Sequence, residues 1–197
     1  MGFDGAHASL LMARAANEPD LFDPTWHDAA APLAIDPKYA PAMLTVGSLE
    51  YQYGRVEEAM MLFLELTKLP TDTEDLPEII DKAGDFLIEQ GDHLNAGQLY
   101  AEAVRADPQV ALYHAGLGYC AAAGERIEES ITHNRRAVEL KPNSYLHLND
   151  LGYSLLQAGK YSEAEETLQR AVQEAPPGYD LAKANLDYLR KSRSELS

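Results

Sequence analysis

"YLHLNDLGYSLLQAG", residues 145–159, and "YSEAEETLQRAVQEAP", residues 161–176, decide the fold. In the first stretch Leu148, Leu151 and Leu155 recur at three- and four-residue steps. In the second, Ala164, Leu168 and Ala171 do the same. That spacing places each set on one face of a helix. Gly159 closes the first helix, because glycine accepts the left-handed backbone of a helix end. Pro176 stops the second, because proline cannot continue one. Nothing in the chain alternates with a period of two, so no strand is expected.

The pair of helices is one copy of a repeat. Gly84, Gly118 and Gly152 are spaced by 34 residues, as are Pro108, Pro142 and Pro176, and Ala103, Ala137 and Ala171. A further copy upstream carries Gly47, Gly54 and Ala59. It leads the next by 37, because Glu74, Asp75 and Leu76 are inserted between them. The copies run 40–73, 77–110, 111–144 and 145–178. Internal self-similarity at such a period means stacked supersecondary units that share one continuous core.

The pattern resembles the tetratricopeptide repeat. At its eighth position stand Gly47, Gly84, Gly118 and Gly152. At the twentieth stand Ala59, Ala96, Ser130 and Ala164, and at the twenty-fourth Phe63, Tyr100, Asn134 and Leu168. The twenty-seventh holds Leu66, Ala103, Ala137 and Ala171, and the thirty-second Thr71, Pro108, Pro142 and Pro176. The resemblance covers residues 40 to 178 and implies an all-α, right-handed superhelical solenoid of helix-turn-helix repeats. Asn134, where an aromatic or aliphatic residue is usual, suggests looser packing in the third repeat. Gly124 comes one residue early, which suggests a different turn there.

Both ends depart from the repeat. Residues 179–193 read as a capping helix, with Leu181, Leu186 and Leu189 over the last repeat and Lys183, Arg190, Lys191 and Arg193 toward water. Residues 194–197 are left as a tail. Residues 1–39 read as an irregular helical cap or a degenerate repeat. "ASLLMARAA" (8–16) is an apolar helix candidate that could lie in its own or a neighbouring groove, so self-association is possible. Asp23 could cap a short helix starting at Pro24, and Pro32 should break or kink the degenerate unit's second helix.

The totals exclude several functions. The formal net charge is −16, which opposes binding to a nucleic-acid backbone. No apolar run reaches 18 residues, and no basic leader precedes an apolar stretch, so a cytoplasmic protein off the membrane is expected. "AGLGYCAAAGERIEES" (115–130) follows no strand, so its glycines are not a phosphate-binding loop. Cys120, the only cysteine, has no base on its own face of the helix and reads as structural. His114 holds a packing position, and His7, His27, His93, His133 and His147 read as surface residues with no metal-ligand spacing. No catalytic residue, metal or cofactor is assigned, and an enzyme is not expected.

The resemblance implies a groove lined by the first helix of each repeat. Its positions hold Leu44, Ser48, Tyr51 and Gln52 in the first repeat, and Glu78, Asp81, Lys82, Asp85 and Glu89 in the second. The third contributes Leu112, Ala115, Gly116 and Tyr119, and the fourth Asn149, Asp150 and Tyr153. The four acids of the second repeat form one helix stripe. Residues 74–110 hold nine acids and two bases, whereas 111–144 hold four of each, so the acidity is local. The expectation is a non-enzymatic scaffold or adaptor binding a peptide or amphipathic helix with apolar anchors and basic residues. A solvated acidic face, a dedicated secretion-type chaperone for an apolar substrate and a regulatory module of a larger enzyme are the alternatives. The family's carboxylate clamp for chaperone tails is absent, since its positions hold Leu44, Ser48, Asp81, Leu112 and Gly116. Ala115, Gly116, Ala122 and Ala123 leave a bare strip beside Tyr119, where Gly116→Trp should block binding and spare the fold.

Overall fold

Residues 24–195 are described by the computed structural model, and all their regular elements are helices. The expectations for "ASLLMARAA" and for Asp23 as a cap lie outside the described residues. The chain divides into two compact units, Met1–Phe86 and Leu87–Ser197.

The first unit holds α1 (Pro24–Ile35), α2 (Ala40–Gln52), α3 (Val56–Leu66) and most of α4 (Leu76–Glu89), whose last residues belong to the second unit. α1 buries Trp26, Ala30 and Leu33, at the three- and four-residue steps of one helix face. Pro32 lies inside α1 and does not break it. It sits in the last turn, so only one intrahelical hydrogen bond is forgone before the helix ends, while Trp26 and Leu33 on either side stay buried. α2 and α3 pack through Gly47, where an added Cβ would stand 2.5 Å from the Phe63 ring. Phe63 and Tyr51 both meet Phe86 edge-on, with ring centroids 6.2 and 5.5 Å away.

The second unit holds α5 (His93–Ala106), α6 (Ala111–Ala123), α7 (Ile127–Leu140), α8 (Tyr145–Gln157), α9 (Tyr161–Glu174) and α10 (Leu181–Glu195). Asp92 caps α5 through the Asn95 backbone N–H, and Ser144 caps α8 through that of His147. Sequence neighbours pack on one another, α6 against α7 and α8 against α9. α10 buries Ala182, Leu186 and Leu189 with Leu148, Leu168 and Ala171 of α8 and α9. Leu181 is exposed instead of covering the last repeat, and Ala182 occupies that buried position.

Throughout the chain, positions 20, 24 and 27 of all four copies are at most 2% exposed. Small residues at 20, and at 27 in all copies but the first, which has Leu66, let helices approach, and the residue at 24 fills the space between them. An added Cβ at Gly152 would meet Leu168 at 2.6 Å, repeating the Gly47–Phe63 contact.

The helix pairs are joined by one turn, used four times. Gly54, Gly91 and Gly159 have φ of 79°, 78° and 72°, and in the third repeat Glu125 takes the same place with φ 60°. Each turn closes with a backbone N–H bonded to the carbonyl five residues earlier: Arg55 to Glu50, Asp92 to Leu87, Arg126 to Ala121 and Lys160 to Leu155. The early glycine therefore does not change the turn. Its hydrogen-bond frame dictates the backbone, and Gly124 itself keeps an ordinary φ of −87°. Glu125 bears the left-handed strain that the other copies assign to glycine. Glu125→Gly is expected to stabilise the protein by about 0.5–1 kcal/mol, less than the full strain because glycine also loosens the unfolded chain. A higher urea midpoint at unchanged slope would show it; a lower midpoint would refute it.

Candidate functional site

Three of the four groove positions on α2 are half-buried in their own fold. Leu44 and Ser48 are half-buried, and the Ser48 hydroxyl donates to the Leu44 carbonyl at 2.9 Å. Tyr51 is half-buried against Phe86, and Gln52 is exposed. On α4, Glu78, Lys82, Asp85 and Glu89 are exposed and Asp81 is half-exposed. The same helix buries Leu76, Ile79, Ile80, Ala83 and Leu87, so the acids and the core residues occupy separate faces.

In the second unit Leu112 and Ala115 are half-buried. Gly116 is a packing glycine, not part of a bare strip. A Cβ there would stand 2.2 Å from the ring of Tyr100, which is fully buried. Gly116→Trp would therefore disrupt the fold, contrary to the sequence expectation.

Tyr119 and Tyr153 are exposed (53% and 44%) and line one cavity of about 530 Å³ together with Asn149 and Asp150. Ala122 and Ala123 of α6 and Leu181 of α10 supply apolar wall. Ser130, Asn134 and Ser154 form a polar base: the two serine hydroxyls are 2.8 Å apart, and Asn134 Nδ2 donates to Ser154 Oγ at 3.0 Å and to Ser130 Oγ at 3.3 Å. Asn134 Nδ2 also reaches the Asp150 carbonyl at 3.4 Å. Asn134 is only 2% exposed, so its packing is not loose. Three hydrogen bonds pin it, and its Oδ1 fills the space left by Gly118, 2.2 Å from where a Cβ would stand.

Asp150 is the only charged residue that lines this cavity. Asn149 Nδ2 donates to its Oδ1 at 3.3 Å, while Asn149 Oδ1 accepts from Asn185 Nδ2 of α10 at 2.9 Å. Burial pushes the Asp150 carboxyl up to about 6, against the opposing effect of the Asn149 hydrogen bond. Neither the raised carboxyl nor the Asn134 cluster is marked by a motif.

Two histidines read as surface residues are packed. His133 stacks on His114 with ring centroids 5.7 Å apart, and His147 is 5% exposed. Burial holds all three below the ordinary imidazole value. The signal was in the repeat: the third position holds Ala42, Ile79, Tyr113 and His147, and all four are buried. Among the described residues no group of three or more His, Cys, Asp or Glu side chains is placed to hold a metal ion. Cys120 is buried at 2% exposure, and an added Cβ at Gly97 would stand 3.4 Å from its Cβ. No helix among the described residues is long and apolar enough to cross a membrane.

A family profile described as tetratricopeptide repeat matches residues 82–145 and 135–180, which together make up half of the chain. The chain is a tetratricopeptide-repeat protein. Comparison with curated proteins gives no match. Solved structures with the same fold include YrrB, described as a tetratricopeptide-repeat protein with an unusual peptide-binding site. It is 19% identical, with 90% of this chain and 87% of that one covered and a TM-score of 0.56. MamA is 16% identical over 82% of this chain and 92% of its own, with a TM-score of 0.56. The second such domain of human RPAP3, solved with the HSP70 peptide SGPTIEEVD, is 21% identical over 58% of this chain and 96% of its own, with a TM-score of 0.53. At these identities the likeness is one of fold. Tetratricopeptide-repeat proteins as a class are interaction modules rather than enzymes.

Proposed function

We propose that this tetratricopeptide-repeat protein is a non-catalytic scaffold whose groove positions hold a peptide or amphipathic helix bearing apolar anchors and basic residues. The observation that carries this reading is the cavity of the second unit. Two exposed tyrosines and apolar wall line it, and its one charged residue is acidic. Exposed tyrosines are contact anchors with little conformational entropy to lose. The acidic stripe of α4 adds a second surface suited to basic residues, and the net charge of −16 would favour their approach. The RPAP3 domain binds a peptide that ends in EEVD. Such a ligand is unsuited here, since like charges would meet at the stripe.

Affinity capture from native lysate, run side by side with wild type and Asp81→Lys/Asp85→Lys, tests this. Wild type should retain partners that elute with salt, and the double variant should lose them. Capture of the same proteins by both, with the same salt dependence, would sink the acidic-groove reading.

A further inference from the structure

Asp150 is a charged group in want of a partner. Among the described residues its carboxylate makes no ion pair, and its one side-chain hydrogen bond, from Asn149, is long at 3.3 Å. Burying a carboxylate without a cation is costly. Asp150 itself is half-buried, on α8 at the wall of the cavity. None of the side chains lining the cavity is cationic, so the protein does not supply the missing charge there.

The surroundings narrow what could supply it. Tyr119 and Tyr153 offer ring faces and hydroxyls, Asn185 and Gln157 are further polar lining, and Leu181 and Ala122 are apolar. A guanidinium suits this mixture better than an ammonium. It is planar and stacks on aromatic faces, it sheds water more readily, and its fork of donors can span a carboxylate. The volume, about 530 Å³, falls within the range of ordinary ligand pockets.

We infer that this pocket receives an arginine side chain of a protein partner, its guanidinium paired with the Asp150 carboxylate and stacked against Tyr119 or Tyr153. This assignment rests on the scaffold reading and gives it one specificity-determining residue.

The test is titration of the ¹⁵N-labelled full chain at pH 7.5 and low salt with the peptide acetyl-Gly-Arg-Gly-amide. Matched peptides carry lysine, or citrulline, which keeps arginine's shape without its charge. The arginine peptide should cause saturable shifts at the Asn149 and Asn185 side-chain amides and at the Tyr119 and Tyr153 backbone amides. The lysine peptide should bind several-fold more weakly and the citrulline peptide not measurably. Asp150→Asn, nearly the same in shape, should weaken arginine binding at least tenfold while keeping a dispersed spectrum, and Tyr153→Ala should weaken it several-fold. Citrulline binding as well as arginine, or full affinity in Asp150→Asn, overturns the proposal. Lysine binding equally well overturns the choice of arginine. Lysate capture keeps the broader reading separate. Salt-sensitive capture without any arginine-dependent shift removes the pocket and leaves the scaffold. Saturable arginine binding with capture indifferent to the α4 reversal removes the stripe and leaves the pocket.

Discussion

Glu50→Ala is expected to cost about 3–5 kcal/mol, the range for breaking a buried ion pair by removing one member. Glu50 is fully buried. Its Oε1 accepts from the indole N–H of Trp26 at 2.5 Å and from Arg55 at 3.1 Å, and Arg55 Nε donates to its Oε2. One carboxylate thus ties α1, the end of α2 and the turn that leads into α3. Alanine in its place takes an acceptor from the indole N–H and the counter-charge from a guanidinium whose side chain is only 14% exposed. With total stabilities of roughly 5–15 kcal/mol for a domain, such a loss would leave the first unit close to unfolding. Trp26 is the only tryptophan, so its emission should move to the red and report the loss directly. Glu50→Leu/Arg55→Leu should recover only part of the stability: it exchanges the buried ion pair for apolar groups, but the Trp26 indole N–H still loses Glu50 as its acceptor. An unchanged urea midpoint in the single variant would refute the network's role.

That network shows how far the repeat could be read. The eleventh position of the four copies holds Glu50, Leu87, Ala121 and Leu155. Each is fully buried. A glutamate in a register reserved for aliphatic residues already signals a buried charge, but nothing in that register names Trp26 as its partner. Trp26 lies in the segment 1–39, where the repeat is too degenerate to assign partners. The glycines at position 8 were legible because steric need repeats with the period, and Gly47, Gly118 and Gly152 each face position 24 of their own copy. Gly116 was not, because its partner is Tyr100 of the preceding copy, and only contact geometry shows that. The left-handed Glu125 escaped for a related reason. A turn's hydrogen bonds fix its backbone, and the residue that lands there must follow. At the candidate site, the family resemblance assigns Tyr119, Asn149, Asp150 and Tyr153 to groove positions. Their convergence on one cavity with Leu181 and Asn185 depends on how α10 packs, which spacing within the repeats does not encode.

Asp150→Asn is expected to make the protein more stable, by about 1–3 kcal/mol at pH 7.5. The upper figure follows from a carboxyl raised from its ordinary 3.8 to about 6, at about 1.4 kcal/mol per unit. Residual solvation and changes in the Asn149 hydrogen bond reduce it. The pH dependence has a definite sign. Between about pH 4 and 6 the folded state binds more protons at Asp150 than the unfolded chain does. Wild-type stability therefore falls as pH rises through that window and stays at the lower level above it. His114, His133 and His147 pull the other way. Held below the ordinary imidazole range, they are bound to protons more in the unfolded chain, so their contribution is lost as pH falls through about 6.5. Both proteins share these histidines, so their effect cancels in the difference between variant and wild type. Urea midpoints at pH 4, 5, 6 and 7.5 should show the two proteins closest at the lowest pH, well separated by pH 6 and only slightly further apart at 7.5. A variant less stable than wild type at pH 7.5, or a gap independent of pH, would mean that burial is not what raises this carboxyl. An asparagine that strengthens the fold and weakens arginine binding would show that this aspartate spends stability on recognition.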